Sequence, residues 1–252
     1  MGSSAVKFLK TSYIRAILWP GLLGISLSAC SALGSFGGET FTLEGELPAN
    51  FSLKAQAQYS VANECNGRWQ AKTFQSNFDS APHQYRFKIP VSYRDGLCEM
   101  KLGKVGLFIY GRYGDKDWQQ TYDNGGLVIV DKLPEGAPAF GEDGVVAKTA
   151  VCSWWFQLSK AKSRRDQISK LLNCRGAGAY IVRDELSGRK VILFFLVNAE
   201  EEPSHDNTWV KFQTGWKPCL PKPGWSSCQT PPVFKTFKMN GRECTVYPNC
   251  TE

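Results

Sequence analysis

Phe51-Ser-Leu-Lys-Ala-Gln-Ala-Gln-Tyr-Ser-Val61 alternates apolar and polar residues over eleven positions without a break. A β-strand turns successive side chains to opposite faces. The pattern therefore puts Phe51, Leu53, Ala55, Ala57, Tyr59 and Val61 on one face, with hydroxyls, amides and Lys54 on the other. A strand buried on one side and wet on the other is the habit of antiparallel sheets. Upstream, Phe41, Leu43, Gly45 and Leu47 alternate in the same way. Downstream, Trp69–Phe74, Tyr85–Ile89, Val105–Tyr113 and Gly126–Val130 repeat the theme between Gly, Asp and Asn turns. So many short strands predict an antiparallel β-sandwich over residues 39–133.

Pro134-Glu-Gly-Ala-Pro138 and Gly141-Glu-Asp-Gly144 mark residues 134–145 as a linker. Beyond it the pattern changes, and residues 146–252 are expected to form a small, disulfide-stapled α+β domain. The charged stretch Ser159–Asn173, with Ile168, Leu171 and Leu172, predicts a helix closed by Cys174-Arg-Gly176. Ala179–Leu186 and Arg189–Val197, joined at Ser187-Gly188, predict a hairpin. Val191-Ile-Leu-Phe-Phe-Leu-Val197 has no polar residue, which predicts a central strand buried on both faces. Trp209–Gln213 adds a further strand, and the tail after Gly215, with six Pro and four Cys, is expected to be irregular and cross-linked. The expected whole is mainly β, with an α+β second part.

The first 29 residues have a different character. Lys7, Lys10 and Arg15 stand at the start, no Asp or Glu precedes Glu39, and Ala16–Leu27 is an apolar run of about a dozen residues. These are the parts of a secretory signal peptide. The run is too short for a spanning helix, which needs about 20 residues. It ends in Leu27-Ser28-Ala29-Cys30, which resembles the lipobox of bacterial lipoproteins. That resemblance covers residues 1–30. It implies cleavage before Cys30, acylation of Cys30 and a membrane anchor, with 30–38 as a flexible tether. Ser31 rather than Asp after the cysteine implies release to the outer membrane, facing the periplasm.

Setting residues 1–29 aside lowers the formal net charge from +7 to +4. No Lys/Arg run exceeds Arg164-Arg165, which is no nucleic-acid signature. Of nine cysteines, setting Cys30 aside leaves an even eight: Cys65, Cys98, Cys152, Cys174, Cys219, Cys228, Cys244 and Cys250. In an oxidising periplasm an even set predicts disulfides. Many pairings are open, and joining sequence neighbours is the simplest. Two histidines and no Cys-x-x-Cys leave no zinc signature, so neither metal nor cofactor is implied.

No catalytic constellation emerges. There is no Gly-x-Ser-x-Gly elbow, no His-Glu-x-x-His pair and no phosphate loop. His83 and His205 fall in polar loops, and Glu200-Glu201-Glu202 with Asp206 lacks the spacing of a calcium loop. The aromatic residues are more suggestive. Trp154 and Trp155, together with Trp216 and Trp225 in the tail, are the candidates for contact with a partner, because exposed Trp anchors many protein interfaces. An anchored, disulfide-bonded chain without catalytic motifs is similar in architecture to lipoproteins that give immunity against lipase effectors of type VI secretion. That likeness implies a protein that occludes a periplasmic toxin. A structural lipoprotein of an envelope or secretion complex is the alternative.

Overall fold

The computed structural model describes residues 39–62 and 65–251. The signal segment 1–29, the tether 30–38 and Cys30 lie outside the described residues. In chain order the strands are β1 Thr40–Leu47, β2 Phe51–Ala62, β3 Gln70–Gln75, β4 His83–Pro90, β5 Ser92–Asp95 and β6 Cys98–Arg112. Then come β7 Gln120–Val130, β8 Val145–Leu158, β9 Ile168–Arg175, β10 Gly178–Val182 and β11 Lys190–Val197. The last are β12 Glu202–Pro203, β13 Trp209–Phe212, β14 Gly215–Pro218, β15 Phe237–Met239 and β16 Arg242–Cys244. The only helical elements among the described residues are two 3-10 turns, Lys162–Arg164 and Arg183–Glu185.

These strands build two six-stranded sheets. One runs β12-β8-β11-β1-β4, with β9 also on β8; the other runs β10-β7-β6-β2-β3, with β5 also on β6. The inward residues of both make one core, in which Phe41, Leu43 and Leu193 of the first sheet join Leu53, Leu107 and Leu127 of the second. The fold is mainly β, and the eleven-residue alternation forms β2, with Phe51, Leu53, Ala55, Ala57 and Tyr59 buried.

Domain organisation differs from the expectation. Strand pairing runs across the expected linker at 134–145: β1 pairs with β11 in parallel, and β7 pairs with β10 in parallel. Residues 39–133 are therefore not a separate antiparallel sandwich. One sandwich of mixed sheets takes strands from both halves, and the linker merely carries the chain from β7 to β8. The expected hairpin also divides, because β10 belongs to one sheet and β11 to the other.

The expected helix at 159–173 is a turn followed by β9. Ile168, Leu171 and Leu172 have helical spacing, but the side chains that are buried are Ile168, Leu172 and Cys174, which repeat on an even period and share one strand face. Pairing with β8 sets Cys174 directly opposite Cys152, and a disulfide joins them. Sequence neighbours form the other bridges: Cys65–Cys98, Cys219–Cys228 and Cys244–Cys250.

The tail is more ordered than expected, with two small ribbons, β13–β14 and β15–β16. Its own cluster gathers Trp209, Phe237 and Tyr247 around Phe156 at the end of β8. Tyr247 donates to a Glu201 carboxylate oxygen, whose other oxygen meets Lys170 Nζ at 2.5 Å. This half-buried polar bridge helps to fasten the tail to the sandwich, together with the Lys238 N–H, which donates to the Asp166 carbonyl at 2.7 Å. Burial first, and then Glu201, raise the Tyr247 phenol well above its ordinary value, so it stays a neutral donor.

Candidate binding surface

Seven apolar residues in a row make β11, and the structure covers only one of its faces. Val191, Leu193 and Phe195 point into the core, whereas Phe194 is 41% exposed and Leu196 is 55% exposed. The expectation of burial on both faces is thus half met. β11 is central, flanked by β8 and β1, but nothing among the described residues packs on its outer side.

The parallel register brings Leu196 beside Val151 of β8, and the antiparallel register of β8 with β9 brings Trp155 beside Leu171. Val151 and Leu171 are exposed, and Trp155 is half-buried. Ile192, Phe194, Leu196 and Val151 therefore form an apolar patch over two neighbouring strands, and Trp155 with Leu171 extends it beyond the polar pair Ser153 and Asn173. Contiguous apolar surface of this kind marks interaction sites in soluble proteins.

Charge borders the patch. On the β1 side, Glu44 accepts from Arg86 Nε at 2.6 Å and lies 3.7 Å from Lys190 Nζ, which neutralises that edge locally. A shallow hollow of about 460 Å3 lies there, with Glu46, Gln84 and Phe194 in its walls. Arg175, opposite Val151, holds the other margin. An apolar centre with a polar rim can desolvate a partner and orient it.

The four tryptophans fall in different places. Trp154 does not face a partner; it is buried between the sheets, edge-on to Phe51 at 5.9 Å and Tyr113 at 5.8 Å. Strand alternation explains this, since Trp154 and Trp155 must take opposite faces. Trp155 lies in the extension of the patch. Trp216 packs against Phe156 at 5.9 Å, with Lys211 Nζ 5.3 Å from its ring. Trp225 is the most open, at 69% exposure, on a hairpin of the tail. Phe194, Leu196, Val151 and Leu171 were not singled out by sequence as contact residues; for Phe194 and Leu196 the signal was the unbroken apolar run, which does not say whether a second cover exists, and Val151 and Leu171 join them only through strand pairing.

The acidic loop is occupied by ion pairs. Glu200 meets Lys211 at 2.8 Å, which lowers the Glu200 carboxyl, and Glu201 serves Lys170 and Tyr247. His83 caps a loop through Ala81 and Asn77 carbonyls, and His205 is exposed. Among the described residues no three of His, Cys, Asp and Glu converge as a metal site, and no helix is long and apolar enough to cross a membrane. With that geometry in view, no protein-family model, no curated protein and no solved structure matches this chain.

Proposed function

We propose that this chain is a lipid-anchored binding protein of the bacterial envelope that seats a protein partner on the outer face of β11, β8 and β9. One observation carries the reading: the most apolar strand of the sequence exposes Phe194 and Leu196, with Leu196 beside the exposed Val151. Phe194 and Leu196 are 41% and 55% exposed, so a partner that covers them recovers about half of the roughly 1.5–3 kcal/mol that full burial of such a side chain is worth. The lipobox at Leu27–Cys30 supplies the anchor in this reading, and the periplasmic face of the outer membrane the location. The specific role we favour is immunity, in which the patch covers an exported toxin, such as a lipase effector, and blocks its substrate path by bulk alone.

The test uses the full chain expressed in the periplasm with the exported product of the adjacent gene. The wild-type chain is expected to rescue growth. Phe194→Asn with Leu196→Asn is expected to abolish rescue with the chain still expressed and folded by circular dichroism, since both side chains are about half exposed and lie outside the core. Rescue by the double variant equal to wild type removes the surface from the proposal, and no rescue by wild type removes the immunity role.

A further inference from the structure

A second hollow, of about 490 Å3, lies between the end of β8 and the disulfide-stapled tail. One wall is a hairpin paired at Pro221 and Cys228 and stapled by Cys219–Cys228. At its tip, Lys222-Pro-Gly-Trp225 closes with the Trp225 N–H donating to the Lys222 carbonyl at 2.9 Å, and Gly224 has φ +79°. Pro at the second position and a positive-φ Gly at the third are what a type II turn requires. Trp225 is thus held on a short, constrained loop, yet most of its indole is in solvent. It has no ring or cation partner among the described residues, unlike Trp209, which packs on Phe156 at 5.0 Å.

The remaining walls are of two kinds. Ser204 Oγ donates to Gln157 Oε1 at 3.0 Å and Thr208 Oγ1 to the His205 carbonyl at 2.7 Å, which leaves hydroxyl lone pairs and the Gln157 amide N–H for a ligand, while Lys160, Lys235 and His205 offer nitrogen. No Asp or Glu lines the hollow. Asp166 meets Lys235 at 3.6 Å, and Lys160 has no ion-pair partner among the described residues. The volume falls in the range of small-ligand sites, roughly 300–1,000 Å3. A pyranose ring has an apolar C–H face for an indole and a hydroxyl edge for Ser, Thr and amide groups. Lys160, without a carboxylate partner among the described residues, further selects a ligand with negative charge.

We infer that this hollow binds an anionic saccharide, a pyranose stacked on Trp225 with its carboxylate or phosphate toward Lys160. Isothermal titration of the full chain tests it with tri-galacturonate and a hexose 6-phosphate as anionic probes. Maltotriose is the neutral control and tri-glutamate the peptide control. At least one anionic sugar is expected to bind, with both controls about tenfold weaker or more. Trp225→Ala is expected to weaken that binding about tenfold with melting temperature unchanged, and Trp225→Phe to restore most of it. Lys160→Gln is expected to flatten its salt dependence. Binding of neither anionic sugar, equal binding of either control, or unchanged affinity in Trp225→Ala each overturns the inference.

Discussion

Gly45→Ala probes the pairing that the sequence concealed, between the first strand and the eleventh. A Cβ at Gly45 would overlap the Leu193 carbonyl across the β1–β11 pair and lie 3.0 Å from the Tyr85 hydroxyl. That carbonyl also accepts from Tyr85 at 3.0 Å, in a fully buried position. Alanine therefore has to push the two strands apart, at about 1–3 kcal/mol for overpacking. If the Tyr85 phenol then loses its acceptor, an unpaired buried donor costs about 1–3 kcal/mol more. The expected loss is about 2–6 kcal/mol, a large share of the roughly 5–15 kcal/mol of a typical domain. Strand propensity alone predicts the opposite sign, since Gly is worse than Ala by roughly 0.5–1 kcal/mol. Gly106→Ala is the control. It is also mid-strand, but its Cβ would meet nothing nearer than a Phe108 ring carbon at 3.9 Å, so it should be neutral or gain up to about 1 kcal/mol. Urea unfolding reads both as a shift in midpoint at constant slope. In a Tyr85→Phe background the Gly45→Ala loss should shrink by about 1 kcal/mol. A Gly45→Ala variant within about 0.5 kcal/mol of wild type would refute the β1–β11 register.

Alkali is expected to unfold the chain through three phenols. Burial is the main cause raising Tyr59, Tyr85 and Tyr247 above the ordinary value. A group whose folded value is raised gives stability that is intact below the unfolded value and lost as pH climbs. Stability should thus fall above about pH 10, by up to about 4 kcal/mol per pH unit for the three together. Ultraviolet titration showing every tyrosine ionised near pH 11 with the fold intact would contradict this. Ser52 is fully buried and its hydroxyl has no hydrogen-bond partner among the described residues. Ser52→Ala is expected to raise stability by up to about 1 kcal/mol in urea, and a loss above that size would reveal a partner. Removing the Cys152–Cys174 bridge by a double Ser substitution opens a loop of separation 22 and is expected to cost about 3 kcal/mol. A thermal midpoint unchanged under oxidising conditions would count against that bridge.

The sequence shows most where its pattern is local. The alternation at Phe51–Val61 became β2, and Phe41–Leu47 became β1, because strand geometry alone sends every second side chain inward. The helix expected before Cys174 failed for an instructive reason. Ile168 and Leu172 are four apart, a spacing that serves a helix face and a strand face equally, and pairing with β8 decided between them. Of the tryptophans, Trp155 and Trp225 proved accessible and Trp154 did not, although adjacency already required Trp154 and Trp155 to diverge.

The sequence by itself determined that this chain folds into strands and that Val191–Val197 is its most apolar stretch. The eight cysteines from Cys65 onward also led to the expectation of bridges. These properties follow from residue spacing and backbone geometry within a few positions. Only the tertiary structure decided that β1 lies beside β11, that one sandwich replaces two domains, and that the outer face of β11 has no cover among the described residues. Each of those is a choice among distant partners. It rests on many weak contacts between segments more than a hundred residues apart, as with Tyr85 and Leu193. No periodicity within one segment encodes it.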